Sequence, residues 1–268
     1  MLANDEVVRG ATTVPVRRYE PAAAPWGTLV WAHGGSFVRG TLDWQEAELA
    51  ARAFAAAGLR VYSVDYALAS DTVKAPAPAA DVATVLHAAA QRHEGALFIG
   101  GASAGAHLAA LAALAQHDAA VAGATRDVDA LLLLYPTAHR VQRADAAIAA
   151  RTAALPEARR FDAARIADMY AFYLGDAGAS EVVGELPPQR LAALPPTVII
   201  NADADDLRAS GEQFGEQLQE AGVPVVVTLQ PGTVHGYLNR STESPGAEAD
   251  ARATIARFVA ELRAIRPE

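Results

Sequence analysis

A chain of 268 residues suffices for one large α/β domain, or at most two small ones. Apolar residues make up 52 % and charged residues 20 %, enough material for a core, which excludes general disorder. The 31 acidic against 22 basic residues give a formal charge of −9 and weigh against a nucleic-acid partner, while the absence of cysteine excludes disulfides, thiolate nucleophiles and cysteine-ligated metals.

The N-terminal stretch MLANDEVVRGATTVPVRRYEP holds no apolar run suited to a signal peptide. No segment reaches the roughly 18 apolar residues of a membrane span. The expectation is a soluble cytoplasmic protein without stable membrane association.

Taken in chain order, residues 1 to about 25 supply one or two edge strands, around Val14–Tyr19. Short apolar runs then recur at 28–32, 59–64, 96–99, 130–135, 197–201 and 223–229. Each is apolar on both faces, as strands of a parallel sheet covered by helices should be. Helical patterns fill the spaces at about 43–57, 77–93, 104–117, 207–221 and 246–265, with Gly58 and Gly222 as C-terminal stops. This alternation predicts an α/β fold, a mostly parallel central sheet flanked by helices. The gap between 135 and 197 is too long for one helix. Helical patterns near 143–154 and 160–174, with a Pro-rich stretch after them, predict a small helical cap inserted between about 137 and 190 of a single domain spanning 1–268.

Gly101-Ala-Ser103-Ala-Gly105 stands between the strand ALFIGG and the helix AHLAALAALAQ. So tight a strand-to-helix turn forces its central residue into a strained conformation and exposes the serine oxygen at the sheet edge, near the positive end of the helix. Ser103 is therefore the candidate nucleophile. His33-Gly34-Gly35-Ser36 comes after another strand, and its bare amides suit a developing oxyanion. Gly34, Gly35 and Ala104, the residue after the serine, form the expected three-donor hole. Of seven histidines, His235 lies between the last strand and the last helix, where a loop returns to the same edge; it is the candidate base. His87, His93 and His117 read as solvated or structural, His107 as packing against the sheet, and His33 as a brace for the oxyanion loop. Asp203, Asp205 and Asp206 come after a strand ending at that edge, and spacing alone does not separate them. The order serine, aspartate, histidine is that of α/β hydrolases.

With HGGSF, GASAG, DADDL and VHGY in this order, the chain resembles the hormone-sensitive-lipase-like branch of the α/β-hydrolase fold, bacterial esterases with an HGGG oxyanion motif. The resemblance runs from about Thr28 to Arg263. It implies Asp205 as the acid, two positions before the leucine of a D-P-L-R-like turn, with Ser103 and His235 completing the triad. The chain departs from the family in Ser36 for the third glycine, in GASAGA for GDSAGG, in Asp65-Tyr-Ala-Leu-Ala-Ser70 for D-Y-R-L-A-P, and in a reduced N-terminal part of the cap, which implies a more open pocket.

The expected activity is that of a serine carboxylesterase acting on small, neutral, short-acyl esters through an acyl-enzyme at Ser103. The alternatives are an amidase, arylformamidase-like or lactonase activity on the same machinery, and a non-catalytic ligand-binding protein on this fold. Phe37, Trp44, His139, Met169 and Tyr173 are the candidate pocket residues, with Phe161 and Phe172 as further choices in the cap. No metal and no cofactor are expected. A small-molecule ester is the expected partner, and the resemblance allows a homodimer.

Overall fold

A computed structural model describes residues 2–142, 145–178 and 181–266. The chain opens with a hairpin, β1 (Leu2–Arg9) and β2 (Thr13–Glu20), where one or two edge strands are expected. It then alternates β3 (Gly27–Ala32), α1 (Gln45–Ala56), β4 (Leu59–Val64), α2 (Ala77–Arg92), β5 (Ala96–Ala102), α3 (Ala104–Val121) and β6 (Ala130–Leu134). The insertion comes next, with α4 (Ala146–Thr152), α5 (Ala163–Leu174) and the short α6 (Pro188–Leu191). The N-terminal end of the helical pattern expected near 143 lies outside the described residues. β7 (Thr197–Ala204), α7 (Arg208–Glu220), β8 (Val225–Val234) and α8 (Pro245–Ile265) complete the chain.

The eight strands form one sheet in the order β1-β2-β4-β3-β5-β6-β7-β8, antiparallel through β1, β2 and β4 and parallel from β4 to β8. β3, β5 and β6 are buried at every position, because helices cover both faces. One face packs Val82 and Val85 of α2, Leu108 of α3, and Phe214 and Leu218 of α7. The other packs Phe54 of α1 with Phe258 and Leu262 of α8. Among the described residues no helix is long and apolar enough to cross a membrane.

The parallel strands deliver their C-terminal ends to one edge, where ligands of open α/β sheets bind. His33 lies just past β3, Ser103 past β5, Asp205 past β7 and His235 past β8. β8 runs further than the expected 223–229, through Pro231 and Gly232. Its pairing with β7 is irregular there, Ala202 facing Gln230 but Ala204 facing Val234. Such an irregularity bends a strand and re-aims the residues beyond the bend. Asp203 Oδ2 accepts the Gly232 N–H at 3.0 Å and holds the bend that returns His235 to the edge.

His107, on α3, is fully buried beside Phe37, Tyr170 and Tyr173. Its Nε2 lies 2.9 Å from the Glu181 carbonyl oxygen. Burial lowers its pKa from 6.5 to about 4, so the fold keeps this ring neutral. An unfolded chain takes up the proton near pH 6.5. The stability this ring contributes is thus fully present above that pH and lost as pH falls toward 4, on the order of 3 kcal/mol. Burial pushes His33, His93 and His139 in the same direction. Melting temperatures should fall between pH 6.5 and 4, more steeply in the parent than in His107→Gln. Equal slopes in the two proteins would refute the assignment to His107.

Candidate active site

The turn after β5 has the geometry that GASAG implies. Ser103 sits at φ 53°, ψ −118°, a conformation costly for any residue with a side chain. Its N–H donates to the Leu134 carbonyl at 2.9 Å, which ties the turn to β6. α3 can start so close to β3 only because residue 105 is glycine: a Cβ there would lie 2.2 Å from the carbonyl oxygens of Ala32 and His33.

Three side chains from three strand ends meet at this turn. Ser103 Oγ is 2.9 Å from His235 Nε2, and His235 Nδ1 is 2.7 Å from Asp205 Oδ2. The second Asp205 oxygen accepts the Leu207 N–H at 2.9 Å. Asp205 is 1 % exposed, which keeps water from competing for the imidazole. Edge-on contacts from Tyr135 and Phe161, with ring centroids 4.9 and 4.6 Å from the imidazole, fix the ring plane from two sides.

The neighbouring aspartates do other work. Asp203, besides holding the β8 bend, pairs with Arg151 of α4 at 2.9 Å. Asp206 accepts from Thr152 Oγ1 (2.7 Å), Arg160 Nε (2.8 Å) and the Phe161 N–H (2.8 Å), so it clamps the insertion to the sheet and seats Phe161 against His235. Burial raises the Asp206 carboxyl, but Arg160 and these donors outweigh it and leave the pKa below the ordinary value. Neither aspartate caps α7, whose N-cap position is Leu207 with no side-chain bond.

The oxyanion loop corrects one expectation. The Gly34 N–H does not face the serine's surroundings as a free donor; it donates to Glu46 Oε2 at 2.5 Å. Glu46, on the first turn of α1, is 2 % exposed and also accepts from Tyr135 Oη at 2.5 Å. Its own N–H donates to Asn239 Oδ1 at 2.9 Å, and its carbonyl accepts the Trp31 Nε1–H at 2.9 Å. Burial pushes the Tyr135 phenol well up, so it stays a neutral donor. Gly35 and Ser36, by contrast, line the cavity together with Ser103. Gly35, at φ 122°, turns the loop there, and a Cβ would lie 1.9 Å from the Arg39 carbonyl oxygen. The N–H of Ala104 belongs to the first turn of α3, where amides have no partner within the helix. His33 braces the loop as expected: its Nδ1 lies 2.7 Å from the Gly34 carbonyl, which Tyr66 Oη also reaches at 3.3 Å.

The cavity beside Ser103 holds about 350 Å³. Trp44 lines it, as do Phe161 and His235. Five other expected lining residues stand elsewhere. Phe37 and Tyr173 are fully buried and stack on each other at 4.0 Å with planes 14° apart, filling the core beneath the loop. Met169 packs against the same core. His139 is 3 % exposed, its Nδ1 2.9 Å from Ser210 Oγ and its Nε2 3.0 Å from Gln217 Oε1. Phe172 is 40 % exposed under the Lys74 ammonium. In their place stand Arg39, Arg159, Arg165 and Arg240.

Sequence reasoning missed Glu46 and these arginines. An acidic residue in a first helical turn reads as a favourable charge near the helix dipole, and nothing local announces that it reaches back to Gly34.

A profile of the alpha/beta hydrolase fold family matches residues 29–239. Esterase LipI of Mycobacterium tuberculosis is 33 % identical over 256 residues, covering 88 % of this chain and 73 % of the relative. Carboxylesterase NlhH of the same species is 32 % identical over 260 residues, covering 92 % and 78 %. Among solved structures, brefeldin A esterase, described as a bacterial homologue of human hormone-sensitive lipase, aligns with a TM-score of 0.80 at 23 % identity, over 99 % of this chain and 78 % of its own; that likeness concerns the fold.

Proposed function

The chain belongs to the α/β-hydrolase fold family and is a carboxylic ester hydrolase; from that premise we propose that it falls in the hormone-sensitive-lipase-like esterase branch and that Ser103, His235 and Asp205 are its catalytic triad. The observation that carries the reading is the unbroken line from Ser103 Oγ through His235 to a buried carboxylate, at 2.9 and 2.7 Å.

With Nδ1–H donating to Asp205, His235 Nε2 is left as acceptor for the serine proton. Ser103 Oγ attacks the ester carbonyl as that proton moves to Nε2, and Asp205 stabilises the imidazolium. The tetrahedral oxyanion is held by the N–H groups of Gly35 and Ala104, with Ser36 taking the place first expected of Gly34. Collapse breaks the C–O bond, and His235 gives its proton to the leaving alcohol. Water then attacks the acyl-enzyme, its hydroxyl ending on the acyl carbon. Its proton passes through His235 back to Ser103. A cavity of about 350 Å³ suits a small, short-acyl ester. A cytoplasmic location is part of the proposal and rests on the sequence alone.

Glu46 is a positioning residue in this scheme: by holding the Gly34 N–H it fixes the loop from which Gly35 points its own. The purified protein should hydrolyse p-nitrophenyl butyrate, and Glu46→Ala should lower kcat by roughly 10- to 10²-fold with a smaller change in KM, because oxyanion contacts act in the transition state. Glu46→Gln should keep most of the rate. Its amide carbonyl accepts from Gly34, and the Tyr135 hydroxyl turns to accept from the amide N–H. Absence of turnover in the parent would count against the triad, and equal kcat in Glu46→Ala against the loop assignment.

A further inference from the structure

The cavity beside Ser103 is charged oppositely to the protein around it. The chain carries −9, yet four guanidinium groups line this cavity against two carboxylates. Both carboxylates are committed, Glu46 to Gly34 and Tyr135, and Glu243 to Arg240 at 2.8 Å. Arg165 is committed too: its Nη1 donates to the carbonyls of Ala158 (3.3 Å) and Arg160 (2.6 Å), and its guanidinium lies 4.4 Å from the Phe161 ring.

Arg39 and Arg159 differ. Their hydrogen bonds are made by the backbone, Arg39 N–H to the Gly35 carbonyl and Arg159 N–H to the Pro156 carbonyl. Among the described residues neither guanidinium has an acidic partner within 4 Å or a hydrogen-bond acceptor. They come from two separate segments, the oxyanion loop and the insertion, and converge on the cavity that holds the nucleophile. An unpaired guanidinium is a fork of donors matched to a carboxylate, and a cleft lined by one sign of charge concentrates ions of the other.

We propose that the substrate of this site is an ester bearing a carboxylate elsewhere in the molecule, such as a half-ester of a short dicarboxylic acid, with Arg39 and Arg159 holding that carboxylate while Ser103 attacks the ester carbonyl. The proposal rests on the esterase reading above. It replaces the neutral ester of the sequence-based expectation. The chemistry of Arg39 and Arg159 is the same whether the carboxylate lies on the acyl or the alcohol side.

The test compares kcat/KM, measured by proton release, for ethyl butyrate, monoethyl succinate (carboxylate on the acyl side) and O-butyryl glycolate (carboxylate on the alcohol side). One of the two anionic esters should be preferred over ethyl butyrate by about tenfold or more, and which one shows the side. That ratio should fall several-fold in Arg39→Gln and in Arg159→Gln, toward unity in the double variant, and also on raising the salt concentration. Melting curves confirm that the variants fold. A parent that turns over ethyl butyrate as fast as both anionic esters overturns the inference and leaves the esterase intact. So does a preference that survives the double substitution. If no ester is turned over and a fluorophosphonate leaves Ser103 unlabelled, the esterase reading itself falls, and this inference with it.

Discussion

Replacing Ser103 by alanine is expected to lower kcat on p-nitrophenyl butyrate by at least about 10⁴-fold while leaving the fold intact. The loss is large because the variant has no atom that can bond to the acyl carbon. Only catalysis by water held near His235 and the oxyanion amides remains. The fold should persist because Ser103 Oγ makes a single hydrogen bond, to His235, and its loss costs about 1 kcal/mol. The strained backbone at φ 53° is carried equally by alanine, so no strain is released. A variant with more than a few per cent of the parent rate would mean that the nucleophile is another group.

Asp205→Asn is expected to lower kcat by about 10⁴-fold with little change in stability. An asparagine amide facing Nδ1 donates where the carboxylate accepted, at the position now 2.7 Å from the ring. The imidazole then carries its proton on Nε2 and can no longer take one from Ser103. The remaining asparagine carbonyl can still accept the Leu207 N–H. The neighbouring aspartates supply the control. Asp203→Asn loosens the bend of β8 and the contact to Arg151, and Asp206→Asn loosens Thr152, Arg160 and Phe161, but neither alters the imidazole tautomer. Both should cost far less in kcat than Asp205→Asn. If Asp203→Asn or Asp206→Asn matched it, the acid would be misassigned.

The frame of the molecule was legible because burial on both faces leaves a plain mark. Runs such as TLVWA and ALLLLY are apolar throughout, and they became β3 and β6. The elbow was legible because Gly105 has no substitute where α3 meets β3. The end of β8 was not, since the apolar run stops at Leu229, and the strand continues past Pro231 and Gly232 through a bend that the Asp203 carboxylate on the adjacent strand holds. The donor role of Gly34 was overestimated for a similar reason: an N–H in a Gly-Gly loop looks free until its acceptor, twelve residues away on α1, is in place. The helical spacing of Ile166, Met169, Tyr170 and Tyr173 reads first as a buried packing stripe on α5, and these residues do pack into the core. Spacing did not name the partners of that face, Phe37 and His107, which take Met169 and Tyr173 away from the cavity. Part of the cavity wall comes from a single 3-10 turn and loop around Ala158–Phe161, too short for any periodicity to mark which side chains face inward.

The role of Ser103 as a nucleophile activated by His235 and Asp205 is tested most directly by exposing the native protein to a fluorophosphonate and mapping the adduct to a peptide. Stoichiometric phosphonylation of Ser103 is expected, with loss of esterase activity in step and strongly slowed labelling in Asp205→Asn. An adduct on any other residue, or full inactivation with Ser103 unmodified, would contradict that role.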